Sequence, residues 1–62
     1  LLNVRGEQYV GQVVVLVDPI VNGVGKAKVG DSQWRVSGDD SEAGSRVRIT
    51  GIDGATFTVE PE

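Results

Sequence analysis

Cysteine and histidine are both absent from these 62 residues. Without cysteine there is no disulfide and no thiolate metal site. Without histidine the usual zinc and copper ligand sets are excluded, and a serine nucleophile loses its commonest base. The serines (Ser32, Ser37, Ser41, Ser45) fall at turns, a strand end and an acidic loop. The remaining base would be a lysine, and Lys26 and Lys28 both lie on the predicted wet face of one strand. The chain therefore reads as non-catalytic, with no cofactor and no metal. No apolar run approaches the ~18 residues needed to span a membrane, and no basic-then-apolar leader opens the chain. Aromatics are scarce: Tyr9, Trp34 and Phe57. A basic excess is lacking too. Nine acids against six bases leave a net charge of −3, which disfavours phosphate backbones and anionic headgroups.

A chain this short is one domain and buries only ~60% of the surface exposed by its unfolded form. Domains of this size usually need a staple. With none available, stability must come from a well-closed core or from burial against other chains. Valine dominates the apolar residues and glycine occurs nine times, a mix suited to short strands joined by tight turns. The chain opens on Leu1 rather than methionine, so it is expected to be a piece of a longer protein.

Five strands can be read from the alternation. Residues 1–8 are a polar leading segment. Tyr9 to Val17 is a nearly continuous apolar run whose five valines and following Asp18-Pro19 favour a strand that ends or bends at Pro19. Asn22-Gly23 is a turn signal. Gly25 to Val29 and Ser32 to Ser37 alternate about a Gly30-Asp31 turn, giving a hairpin with one wet and one dry face. Gly38 to Ser45 is a loop by composition. Arg46 to Ile52 alternates until Gly51 interrupts. Asp53-Gly54 predicts a type I′ turn, after which Ala55, Phe57 and Val59 share a side. No helical pattern is present. Turn signals every eight to twelve residues point to a small barrel or sandwich, and closure of five short strands removes exposed edges. Gly11 is expected to let the long first strand coil and serve both halves. The predicted core is Val13, Val15, Val17, Ala27, Val29, Trp34, Val36, Val47, Ile49, Phe57 and Val59, with Val14 and Leu16 as the alternative inward set on the first strand.

Each candidate motif has an ordinary structural reading beside the functional one. Gly23-Val-Gly25-Lys26 lacks phosphate-loop spacing and no helix follows, so a turn and a barrel-bending glycine account for it. Asp39, Asp40 and Glu42 lack the alternating ligands of a calcium loop and read as a solvated loop. Trp34 reads as a core filler rather than a ligand platform. The remaining pattern is cationic: Lys26, Lys28, Arg35, Arg46 and Arg48 all fall on outward strand positions. Single-strand nucleic-acid binding on such a face needs aromatic stacking, worth roughly 1–3 kcal/mol per base, yet Trp34 and Phe57 have core parity. These five cations are the candidate partner-contact surface, suited to an acidic protein surface, against the plainer reading of solvated cross-strand pairing.

Five segments taken in order carry a resemblance: Tyr9-Val-Gly11, Asp18-Pro-Ile-Val-Asn-Gly23, Val29-Gly-Asp-Ser-Gln-Trp34, Ala43-Gly-Ser-Arg-Val47 and Ile52-Asp-Gly-Ala-Thr-Phe-Thr-Val-Glu-Pro61. Together with Leu2-Asn-Val-Arg5 they resemble the C-terminal soluble domain of NfeD-like proteins. The resemblance implies an all-β, five-stranded antiparallel OB-fold barrel over residues 9–62. It implies membrane-spanning helices ahead of residues 1–8, with this domain beside the membrane on the cytoplasmic side. It further implies a non-catalytic interaction module working with stomatin- or flotillin-type (SPFH) membrane scaffold proteins. Some relatives carry a serine protease domain upstream, and nothing in this chain matches it. Two alternatives stay open: a single-stranded nucleic-acid-binding OB domain, and a regulatory domain attached to an upstream membrane serine protease.

Overall fold

A single long strand organises the barrel. In the computed structural model, which describes residues 7–62, β1 spans Val13–Val21, β2 Val24–Val29, β3 Ser32–Ser37, β4 Arg46–Asp53 and β5 Thr56–Pro61. The expectations for residues 1–6, including the resemblance at Leu2-Asn-Val-Arg5, lie outside the described residues. The five strands close in the order β1-β2-β3-β5-β4, with β4 returning to β1. This is the all-β, OB-type barrel expected from the sequence, with one correction. The β3–β5 pair is parallel, matching Arg35 with Thr56, Val36 with Phe57 and Ser37 with Thr58. Five strands cannot alternate direction all the way round a ring, so one pair must run parallel.

β1 pairs with both β2 and β4. Val15 faces Lys28 across one edge and Arg46 across the other. The strand therefore does serve both halves, but Gly11 is not the device. Gly11 precedes the strand at φ 97°, and its N–H donates to the Ile49 carbonyl at 2.7 Å. The coil comes from two register shifts against β2, between Leu16 and Asp18 and between Asp18 and Val21. Each inserts an extra residue and bends β1. Pro19 falls inside this bulged stretch, where a missing N–H does little harm, so β1 runs on through it to Val21. Gly25 lies against the bend. A Cβ there would come within 2.7 Å of the Pro19 carbonyl oxygen and 2.9 Å of Ile20 Cα.

The core is Val14, Leu16, Ile20, Ala27, Val29, Val36, Val47, Ile49, Phe57 and Val59. The parity of β1 is therefore the alternative one. Val14 and Leu16 point in, Val15 and Val17 point out, and Val13 is half-buried. Ile20, which the sequence reading left outside the core, is buried. An unbroken valine run has no polar residue to mark its wet face. Side-chain size decides instead, because the inward set includes Leu16 and Ile20, the larger residues that a small core needs to fill its volume. Trp34 is half-buried and packs on the core rim, its ring 4.6 Å from that of the fully buried Phe57.

Three smaller departures follow from local geometry. The run Tyr9 to Gln12 is not strand: Glu7–Tyr9 form a 3-10 turn where no helical pattern is present in the sequence. This turn sets Tyr9 edge-on to Phe57, with centroids 6.0 Å apart. Asn22 and Gly23 both have positive φ, 57° and 85°, as a type I′ turn requires. At the last hairpin only Gly54 does, at 65°, with Asp53 paired to Thr56. The two-residue loop is thus Gly54-Ala55, with the single positive φ of a type II′ turn. Gly51 marks a bulge in β4, since Ile49 pairs with Val59 and Gly51 already pairs with Thr58.

Leu16→Ala is expected to lower unfolding stability by about 2–5 kcal/mol, whereas Val15→Ala, one residue earlier, should change it by no more than about 0.5 kcal/mol. Urea denaturation of both variants reads the parity of β1 directly, and equal losses would contradict it. Gly25→Ala should destabilise by roughly 1–3 kcal/mol through overpacking against the β1 backbone. A wild-type urea midpoint for that variant would show that the approach of β2 to the bend is not tight.

Candidate functional site

The five cations singled out in the sequence are all exposed and all on strand walls: Lys26 and Lys28 on β2, Arg35 on β3, Arg46 and Arg48 on β4. Register sorts them into two groups. Lys26 lies opposite Arg35, and Lys28 opposite Gln33, across the β2–β3 hairpin. Arg46 and Arg48 lie on the far side of β1 from the lysines. The barrel wall therefore does not gather the five into one patch. It sets them as two rails with β1 between.

Their surroundings differ. Arg46 holds Glu62, with Nε to Oε1 at 2.9 Å and Nη2 to Oε2 at 3.3 Å. Both side chains are well exposed, and such pairs are worth little, ~0–1 kcal/mol. Arg48 Nη1 donates to the Gly11 carbonyl at 3.1 Å, which fixes the turn before β1. Glu60 lies across from Arg48 on β5, and Asp18 across from Lys26 on β1. Among the described residues, Lys26, Lys28 and Arg35 have no ion-pair partner within 4.0 Å.

The acids are distributed otherwise. Asp31 lies in the β2–β3 turn, Asp53 ends β4, and Asp39, Asp40 and Glu42 occupy the β3–β4 connection. That connection is more than a solvated loop. Asp40 Oδ1 accepts from the Gly23 N–H at 3.1 Å. Ile20 and Ser41 exchange backbone hydrogen bonds at 2.9 and 3.2 Å, and Gly44 N–H donates to the Leu16 carbonyl at 2.8 Å. The segment is stitched along the edge of β1 beyond the last β1–β4 pair, and it holds its acids at that end of the barrel. The glycines at 23 and 25 likewise have structural work, a turn and a close approach, and no helix follows them.

One open cleft of about 300 Å³ lies at the barrel end, lined by Gln8, Tyr9, Val29, Asp31, Ser32 and Trp34. The sequence reading gave Trp34 a core position only. Its exposed part shares this cleft with Tyr9. None of the outward positions on β2 and β3 that would form a stacking platform carries an aromatic: they are Val24, Lys26, Lys28, Gln33 and Arg35. The outward valines of β1 follow only from its alternative parity. Val15, Val17, Val21 and Val24 are exposed, and Val15 lies in one row with Lys28 and Arg46. Residue size along β1 was the signal available for finding them.

Comparison with known proteins places this geometry. The chain is 46% identical over 59 residues to "Inner membrane protein YbbJ" of Escherichia coli (strain K12), an alignment covering 94% of this chain and 39% of that protein. The chain thus spans well under half the length of this curated relative. Among solved structures, it superposes with a TM-score of 0.81 and 29% identity on the C-terminal domain of stomatin operon partner protein 1510-C from Pyrococcus horikoshii, covering 90% of this chain and 91% of that one. A soluble domain from Corynebacterium glutamicum, of a membrane protein implicated in regulation of membrane protease activity, matches with a TM-score of 0.82. Its identity is 20%, over 90% of this chain and 95% of that one, so it supports the fold alone. The family described as NfeD-like C-terminal, partner-binding domain matches residues 6–61, and with a barrel that carries its cations outward and its bulk inward, the chain belongs to that family.

Proposed function

We propose that this domain is a non-catalytic interaction module of a membrane-anchored protein, and that its outer wall holds a stomatin- or flotillin-type (SPFH) scaffold protein on the cytoplasmic side of the membrane. The observation that carries the reading is the segregation of charge on a domain whose family is partner-binding. An acidic chain places all five described cations on its strand walls, where Asp18 and Glu60 are the acids among them, while Asp31, Asp39, Asp40 and Glu42 sit in one turn and one connection. Cations confined to a wall favour an acidic protein surface through local complementarity, whatever the sign of the net charge. The named relatives support the membrane and scaffold parts: one is an inner membrane protein, another a stomatin operon partner.

The nucleic-acid alternative draws less support. Outward positions of β2 and β3 lack aromatics, and the cleft that exposes Trp34 also presents Asp31, which repels phosphate. A role as regulator of an upstream serine protease finds no residue of its own on this barrel.

Titrating the 15N-labelled domain with the soluble part of an SPFH protein should give saturable shifts at low salt. The double reversal Arg46→Glu/Arg48→Glu should weaken binding by about tenfold or more, with a shallower salt dependence. Labelled single-stranded oligonucleotides should show no rise in anisotropy under the same conditions. Oligonucleotide binding without scaffold binding would replace this reading with the alternative.

A further inference from the structure

The outward face of β1 carries an apolar ridge between the two cationic rails. Val15, Val17 and Val21 on β1 and Val24 on β2 are 47, 38, 57 and 50% exposed, and Val13 continues the row half-buried. Val21 and Val24 lie beyond the exposed Asp18-Pro19 bulge, so the row proper is Val13, Val15 and Val17. A single exposed valine needs no account, but such a row does. On one flank, Lys28 lies directly opposite Val15. On the other, Arg46 lies opposite Val15 and Arg48 opposite Val13. Neighbouring strands are ~4.8 Å apart, so the two rails are about 10 Å apart across the ridge, close to the ~10–12 Å diameter of an α-helix with its side chains.

We infer that this ridge is the docking site for an acidic amphipathic helix of a protein partner, its apolar stripe seated on Val13, Val15 and Val17 and its flanking carboxylates on Lys28, Arg46 and Arg48. The inference deepens the interaction-module reading and rests on it for the kind of contact made. Three observations select this occupant. The barrel is closed: β1 pairs with β4 along Val13 to Val15 and with β2 from Val15 to Val21, so an added strand finds no open sheet edge along the ridge. A second copy packed ridge to ridge would bring rail against rail, cation to cation, which the symmetry of a two-fold contact makes unavoidable. An anionic bilayer is a plane and would also meet the acids of the 38–45 connection, which is stitched to Leu16 and Ile20 on the same strand. A helix is narrow enough to lie along Val13 to Val17 between the rails, short of Asp39 and Asp40 in the 38–45 connection. Asp18 at the end of the row and Glu62 on Arg46 are the acids beside it.

The probe is a synthetic 21-residue amphipathic peptide with leucine on one face and glutamate on both flanks. A lysine-flanked version is the control, titrated into the 15N-labelled 62-residue domain. Shifts are expected at Val13, Val15, Val17, Lys28, Arg46 and Arg48 with the glutamate peptide and none with the lysine peptide. Val15→Glu places an acid between Lys28 and Arg46, so the barrel should keep its melting temperature while affinity for the peptide falls about tenfold or more, as at an interface centre. Absence of shifts at millimolar peptide overturns the inference. So does stronger binding to anionic phosphatidylglycerol vesicles than to the peptide, or concentration-dependent dimerisation in sedimentation that Val15→Glu abolishes. If Val15→Glu retains full affinity for an SPFH protein, the ridge assignment fails and the module reading stands. If the domain binds the glutamate peptide but no SPFH protein, the ridge stands and the choice of partner fails.

Discussion

Val15 is bridged on both sides, to Lys28 on β2 and to Arg46 on β4, and this double pairing of β1 is the constraint on which the rest depends. A 62-residue chain without a disulfide has little core to spend. Closing the ring lets nine apolar side chains share one core with Phe57 and leaves no strand edge open. To pair on two sides with strands that diverge, β1 must bend, and the bend requires two extra residues and a neighbour without a side chain. Pro19 and Gly25 meet these needs together: one tolerates the lost hydrogen bond, the other admits the bent backbone at 2.7 Å.

Closure also fixes what the outside can be. Once every strand is paired, recognition has to run through side chains that point away from the core. On β2, β3 and β4 those positions include the five cations, and on β1 they include Val15 and Val17 as well as Asp18. The same alternation that fills the barrel therefore writes its outer surface. An error of one residue in register would exchange Leu16 with Val15 and ruin core and surface at once.

Much of this was legible from residue order. Lys26-Ala27-Lys28-Val29 and Arg46-Val47-Arg48-Ile49 announce their faces because each polar residue marks one. Asn22-Gly23 announces its turn because both positions must take positive φ. The five cations were placed outward correctly for the same reason. β1 was harder: Val13 to Val17 contains no polar marker, so only volume distinguishes its two faces, and volume matters only once the facing strands are known. The extension of β1 through Pro19 depended on bulges that no local pattern encodes. The parallel β3–β5 pair was available from counting alone, since an odd ring cannot alternate throughout. The Glu7–Tyr9 turn is too short to carry a period, and it forms because Tyr9 has Phe57 to pack against.

The charge pattern resolves an apparent conflict between an acidic chain and a cationic contact surface. Net charge governs what a molecule feels at long range, but at physiological ionic strength fields decay over ~8 Å. Within that distance Lys28, Arg46 and Arg48 present themselves to a ligand lying on β1, while the acids held at the turns and in the 38–45 connection act on whatever approaches the barrel ends. A broad anionic surface meets both signs and gains little. A narrow acidic ligand lying over Val13 to Val17 meets chiefly Lys28, Arg46 and Arg48, with Asp18 and Glu62 as the acids beside them. The barrel thus selects by shape as well as by charge, and the selection is set by where closure allows polar residues to stand.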